Sequence, residues 1–300
     1  MSLAEPENVV LRAREVRFDW SGVPLHWIPG DPAATHLINV LHLLLPAGEK
    51  WFAVVLKEAL PHVRDERLRQ DVLGFVGQES VHADSHDAVL DHFLEQGLDV
   101  RPFARQMEYM FMSLLGDRGL TGRRRRAWLN ERVSIVAAIE HFTGVLGDWI
   151  LGAEALDAAG ADPVMMDLLR WHGAEEVEHR HVAHDLFMHL DGSYSLRIRS
   201  MAITITMLTS LWRRGHRFLM ACDPVLREAR LNGAKGRRVN GGLVYHMSRA
   251  GNAGLVPQGR LIGASMARYL RRTYSPLNEG STSRALAYLA TSPAAQAGLR

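Results

Sequence analysis

Four short stretches of this chain put acidic side chains where the oily inner face of a helix should be. They are LPAGEKWF (45–52), GFVGQESVHADSH (74–86), VAAIEHFTG (136–144) and WHGAEEVEHRHVAHD (171–185). The second holds Glu79-x-x-His82 and the fourth holds Glu176-x-x-His179, while the first and third each hold a single glutamate, Glu49 and Glu140. The order is Glu, Glu-x-x-His, Glu, Glu-x-x-His, with 30 residues from Glu49 to Glu79 and 36 from Glu140 to Glu176. Each gap is long enough for a helix to end, turn and return, so the pattern puts one glutamate on each of four helices.

Helical phase sharpens the reading. At about 100° per residue, Met165, Leu169, His172, Ala183, Phe187 and Leu190 fall within about 40° of Glu176, and His179 about 60° away. A third match, Glu178-x-x-His181, points roughly 140–200° away and is expected to face solvent. Glu79 shares its face with Leu68, Val72, Phe75, His82, His86, Leu90 and Phe93. Glu140 shares its face with Leu129, Val133, Val136 and Leu151, and Glu49 with His42, Leu45, Ala53, Leu56 and Leu60.

A buried carboxylate without a partner costs several kcal/mol or stays protonated. For any one of them the alternative is a salt bridge to one of 32 arginines. For all four, a pair of divalent cations is the economical partner. Glu and His three apart share a helix face and can grip one ion or two adjacent ones. Glu49, Glu79, His82, Glu140, Glu176 and His179 make six ligands, and His172, four residues before Glu176, makes a seventh. His86 is either a further ligand or a hydrogen-bonding neighbour. Gln78 and Glu175 are placed to reach across to the histidine of the opposite pair and fix its tautomer. Asp185 is a weaker candidate for a similar role.

The rest of the chain reads as all-α. Apolar spacing predicts helices near 34–60 (interrupted at Pro46), 64–96, 101–116, 122–159, 163–190 and 194–221, then shorter ones near 259–273 and 281–291. Residues 1–33 read as irregular, with a short strand over 16–20. Residues 34–222 form a helical bundle carrying the dinuclear site, and 223–300 a C-terminal extension and tail. Gly144 and Gly147, in phase with Glu140, signal either a close helix crossing or empty space beside the ions. Met107, Met110, Phe111 and Met112 either pack or line a pocket. A single cysteine, Cys222, excludes disulfides and thiolate clusters and suits a reducing cytoplasm. The N-terminus lacks the apolar core of a signal peptide. A net charge of +2 provides no field to recruit nucleic acid. The apolar run 201–212 is shorter than the ~20 residues a membrane span needs. It reads as a buried helix, or as one lying on a membrane or lipid-like substrate. Arg123–Arg126 open a helix at the end its dipole disfavours, as a solvated face or a peripheral contact with anionic headgroups.

LPAGEKWF, VGQESVH with its following His86, IEH and WHGAEEVEHRHVAHD resemble the ferritin-like di-metal carboxylate proteins, most closely the family of predicted metal-dependent hydrolases. The match spans residues 45–185, about half the chain. His-x-x-x-Glu-x-x-His is also similar to the di-iron N-oxygenases of aryl amines. His184 stands where that hydrolase family has an aromatic. The resemblance implies a ferritin-like four-helix core with Glu49, Glu79, His82, Glu140, His172, Glu176 and His179 as ligands. The ligand set suits iron, with manganese or zinc as alternatives. The expected function is a di-iron oxidase or oxygenase that uses O₂ and an external electron donor to oxidise a small hydrophobic or aromatic substrate. Metal-dependent hydrolysis is the alternative, non-catalytic metal storage the second, and oligomerisation is left open.

Overall fold

The computed structural model describes residues 9–234, 236 and 240–298, and among these it contains helices and connecting loops without strands. Helix α1 (Pro32–Ala59) opens on Asp31, whose carboxylate accepts a hydrogen bond from the Ala34 amide at 3.0 Å. Helix α2 (Glu66–Glu95) is capped in the same way by Asp65. Such caps each stabilise a helix by about 1 kcal/mol. Helix α3 (Arg101–Glu108) widens into a π-type turn over Tyr109–Leu114. Helix α4 (Gly122–Leu151) stops at Gly152, and the short α5 (Glu154–Ala158) leads to α6 (Pro163–His179), which starts on the doubly accepting cap Asp162. Then follow α7 (Val182–Leu190) and α8 (Tyr194–Cys222).

Two antiparallel pairs build the centre. Leu60, just past the end of α1, lies against Arg69 of α2, while His42 lies against His86. Likewise α4 and α6 run in opposite directions, with Gly147 against Gly173 and Gly144 against Arg180. The first pair packs on the second, and α8 covers α1 and α4.

Several helix limits differ from those the sequence predicts. Pro46 does not interrupt α1, which runs through it unbroken. The helix expected over 122–159 ends at Leu151, because Gly152 takes a non-helical conformation. The one expected over 163–190 is two, broken at Arg180 and His181. The Arg180 side chain turns into the interior there and donates to the Pro276 carbonyl and the Thr282 hydroxyl. Residues 16–20 form no strand.

One apolar core runs through all parts of the chain, from Leu11 and Trp27 near the start to Leu289 and Ala295 near the end. Asp167 of α6 accepts from the hydroxyls of Tyr288 and Ser292 and from the Ala294 amide, which fastens the last helix, Pro293–Gly298. By length and apolar content Pro32–His62 and Gly122–Leu151 could cross a membrane, but 83% and 78% of their apolar windows are buried inside this fold. The run 201–212 lies in α8, which buries Met201, Thr204 and Leu211 and leaves Ile203 42% exposed.

Candidate metal centre

The four predicted glutamates arrive from α1 (Glu49), α2 (Glu79), α4 (Glu140) and α6 (Glu176), and none is more than 3% exposed. With the three histidines they form two overlapping groups. Glu49, His82, His172 and Glu176 can each offer a donor atom within 4.8 Å of the others, and so can Glu79, Glu140, Glu176 and His179. Glu176 belongs to both. Its Oε1 lies 2.7 Å from His172 Nε2 and 3.6 Å from His82 Nδ1, and its Oε2 lies 3.3 Å from His179 Nε2. On the other side His179 Nε2 is 3.2 Å from Glu79 Oε1 and 3.3 Å from Glu140 Oε2. His172 Nε2 is 3.4 Å from Glu49 Oε1.

Electrostatics within this cluster are unfavourable. Burial, then repulsion from the other carboxylates, pushes Glu49 and Glu79 well above the usual carboxylate range. Burial and the neighbouring Glu176 lift Glu140 up to about 7. Burial works against ionisation of Glu176 too, but His179 and His172 beside it hold it low. Both carboxylate oxygens of Glu49 and of Glu79, Oε2 of Glu140 and Nδ1 of His82 are buried without a hydrogen-bond partner among the described residues. Each such atom costs about 1–3 kcal/mol if nothing satisfies it. Two divalent cations fit: four carboxylates match four positive charges, and oxygen plus imidazole donors suit iron, manganese or zinc.

Behind the donors runs a closed chain of polar partners. His82 Nε2 lies 2.9 Å from Glu175 Oε2, and His179 Nδ1 lies 3.2 Å from Gln78 Oε1. The Gln78 amide donates to Glu178 at 3.0 Å, and Arg14 donates to Glu175 at 2.6 Å and to Glu178 at 2.7 and 2.9 Å. Gln78 and Glu175 thus each touch the histidine of the opposite pair. Glu178, expected to face solvent, is instead buried and paired with Arg14, because the N-terminal segment covers the back of α6. His181 is only partly exposed, 3.8 Å from Asp71. Asp185 is exposed and away from the donors, since the break at Arg180 and His181 resets the helical phase. His86 belongs to neither group and stands behind His172, with Nε2 2.8 Å from that ring's Nδ1.

Sequence reasoning missed Arg14 and the inward role of Glu178. The signal for Glu178 was its polar partner Gln78 on a helix otherwise read as core. Arg14, in an irregular segment, gave none.

The glycines mark a crossing. A Cβ on Gly173 would come within 2.7 Å of Ile150 and 2.8 Å of the Gly147 backbone, and one on Gly144 within 3.2 Å of the Arg180 Cβ. Met107 and Phe111 are buried, with Phe111 against Trp51 and Gly48, whereas Met112 is exposed. Met107, Met110, Phe111 and Met112 do not line the cavity described next, whereas Gly147 and Gly173 lie both at the crossing and on its wall.

A cavity of about 340 Å³ ends on His172 and Glu176. Its walls come from α1, α4, α6, α8 and the C-terminal helices, among them Leu41, Leu45, Trp149, Ile205, Leu208 and Met266.

A third cluster, His26, His36 and Asp223, is built differently. Trp27 Nε1 donates to Asn39 Oδ1 at 2.8 Å, which turns the Asn39 amide nitrogen toward His36 Nδ1 at 3.4 Å. Burial keeps His36 neutral. Its proton therefore sits on Nε2 and is donated to Asp223 Oδ2 at 2.7 Å. His36 has no lone pair left for an ion there, and the cluster is a hydrogen-bonded clamp between α1 and the end of α8.

No curated protein and no solved structure matches the chain significantly. A family model does, over residues 12–280. With clustered Glu and His donors in its core, the chain belongs to the family of predicted metal-dependent hydrolases.

Proposed function

We propose that this chain is a dinuclear metal-dependent hydrolase acting on a small, uncharged, apolar substrate held in the cavity. The observation that carries the reading is that this apolar cavity ends on His172 and Glu176, side chains of the donor cluster. Thr143, Thr209, His172 and Glu176 are the only hydroxyl, imidazole or charged groups in its lining among the described residues. Apart from Glu176, itself one of the donors, these walls offer a charged substrate no counter-charge. The family description supports hydrolysis as the reaction class.

Two divalent cations, when bound, would polarise a substrate oxygen and make a water nucleophilic near neutral pH. Glu49, Glu79, His82, Glu140, His172, Glu176 and His179 would hold them. The apolar walls exclude bulk water and orient the substrate body. The Thr143 hydroxyl donates to the Glu140 carbonyl at 3.1 Å, which ties the cavity wall to the turn that carries a donor.

One observation favours a second reading, oxidation of the substrate by O₂ at two irons with an external electron donor. The donors sit in mid-helix rather than on loops, at the inner end of a passage suited to O₂ and hydrocarbon.

Loading the metal-free protein with Zn²⁺ or Mn²⁺ under nitrogen and offering neutral p-nitrophenyl esters of increasing acyl length separates the two. Hydrolysis is expected, and is expected to vanish on chelation and in Glu49→Gln. Turnover that demands Fe²⁺ and O₂ together, with none on Zn²⁺ or Mn²⁺, would assign the site to oxidation.

A further inference from the structure

Three histidines from three helices stand in line at the cavity end of the cluster. His42 Nδ1 on α1 lies 2.8 Å from His86 Nδ1 on α2. His86 Nε2 lies 2.8 Å from His172 Nδ1 on α6, and His172 Nε2 lies 2.7 Å from Glu176 Oε1. His42 and His86 are fully buried and His172 is 7% exposed. At the far end His42 Nε2 is buried with no partner among the described residues, and the ring packs in a T-shape with Phe93.

A neutral imidazole carries one N–H and one lone pair. Two ring-to-ring hydrogen bonds in series therefore force all three protons to point the same way along the line. In one alignment His172 Nε2–H donates to Glu176, and a lone pair is left over at His42 Nε2. In the other, His172 Nδ1–H donates to His86 Nε2, His86 Nδ1–H donates to His42 Nδ1, and the N–H left over is on His42 Nε2. Only the second frees the His172 Nε2 lone pair toward Glu49 and Glu176.

We infer that His86 and His42 are positioning residues that set the tautomer of His172, so that its Nε2 can bind a cation. The inference rests on the metal-binding reading above. Without His86, the Nδ1–H of a cation-bound His172 would be a buried donor with no acceptor. The line of rings moves that unsatisfied group two residues away, to His42, beyond reach of the ions. Outer partners of this kind typically change metal affinity by about 10–100-fold.

The full-length protein tests this without any assay of turnover. Zn²⁺ affinity and the visible spectrum of the Co²⁺ form are compared for wild type, His86→Leu, His86→Gln and His42→Leu. His86→Leu is expected to weaken the cation held by His172 by about 10–100-fold and to shift the Co²⁺ bands. His86→Gln, whose amide can accept from His172 and donate to His42, is expected to restore affinity to within a few-fold. His42→Leu should fall between. Histidine-labelled wild type with Zn²⁺ should show, by nitrogen chemical shift, the proton on Nδ1 of His86 and on Nε2 of His42. That measurement carries the test if His86→Leu does not fold.

Wild-type affinity and an unchanged Co²⁺ spectrum in His86→Leu would overturn the inference while leaving the metal centre standing. So would a Zn²⁺ form with His86 protonated on Nε2. A wild type that takes up no cation overturns both.

Discussion

Glu140 shows at the scale of one residue what the interior asks of an ion. Its pKa of about 7 in the folded, metal-free protein stands against 4.5 for an ordinary glutamate. A carboxyl whose folded pKa is raised contributes full stability below the unfolded value and loses it as pH climbs through the folded one. Between about pH 4.5 and pH 7 the metal-free protein should therefore lose on the order of 3 kcal/mol from this group alone. Glu49 and Glu79, raised by burial and mutual repulsion, push the same way. Urea midpoints of chelator-treated protein are expected to fall from about pH 6.5 to about pH 8, above the range in which the buried neutral histidines His36, His42, His86, His141, His172 and His216 gain stability with rising pH, and the trend should reverse with Zn²⁺ present, because cations replace the protons. A metal-free protein that grows more stable over that interval would contradict the buried-carboxylate account.

The same scale shows what could be read in advance. The four glutamates and three histidines were legible because helix period and apolar neighbours announce a polar group on an inner face. Glu178 was not, because phase tells only which side faces the bundle axis. It cannot tell that a segment 164 residues away brings Arg14 to the opposite side. His42 was legible as core, but its place in a line of rings depends on the register of α1 on α2, which no local pattern sets.

At the scale of elements, α4 and α6 approach closely enough to bring Glu140 to His179 only because Gly147 and Gly173 remove the side chains between them. Gly147→Ala would drive a Cβ into the Gly173 backbone, a form of overpacking that costs about 1–3 kcal/mol. The expected result is a lower melting temperature together with fewer bound cations per chain. Gly144→Ala, whose Cβ would meet the Arg180 Cβ at 3.2 Å rather than a backbone oxygen, should cost less. Equal effects of the two changes would remove the crossing from the argument. The break between α6 and α7 was hidden from sequence because no glycine or proline marks it. Its basis is tertiary: the buried Arg180 side chain bonds to carbonyl and hydroxyl groups of the C-terminal region. Pro46 errs the other way, since α1, packed on both sides, keeps its helical path through a residue that breaks isolated helices.

For the molecule as a whole, a centre drawn from α1, α2, α4 and α6 makes bound cations part of global stability. A ligand that binds only the native chain stabilises it by about 2.7 kcal/mol at a hundredfold excess over its Kd. Chelation should therefore lower the melting temperature of the entire domain in one cooperative step. A local change with the melting point untouched would argue that the donors do not hold ions jointly.

The apolar lining of the cavity has a further consequence, for the order of events in the life of the protein. A divalent ion travels in water with a tightly held coat of solvent, and walls of leucine, isoleucine and tryptophan give it nothing in exchange for that coat. Ions would therefore enter more readily while the four helices are still apart, and uptake by the folded, metal-free protein is expected to be slower than uptake during refolding.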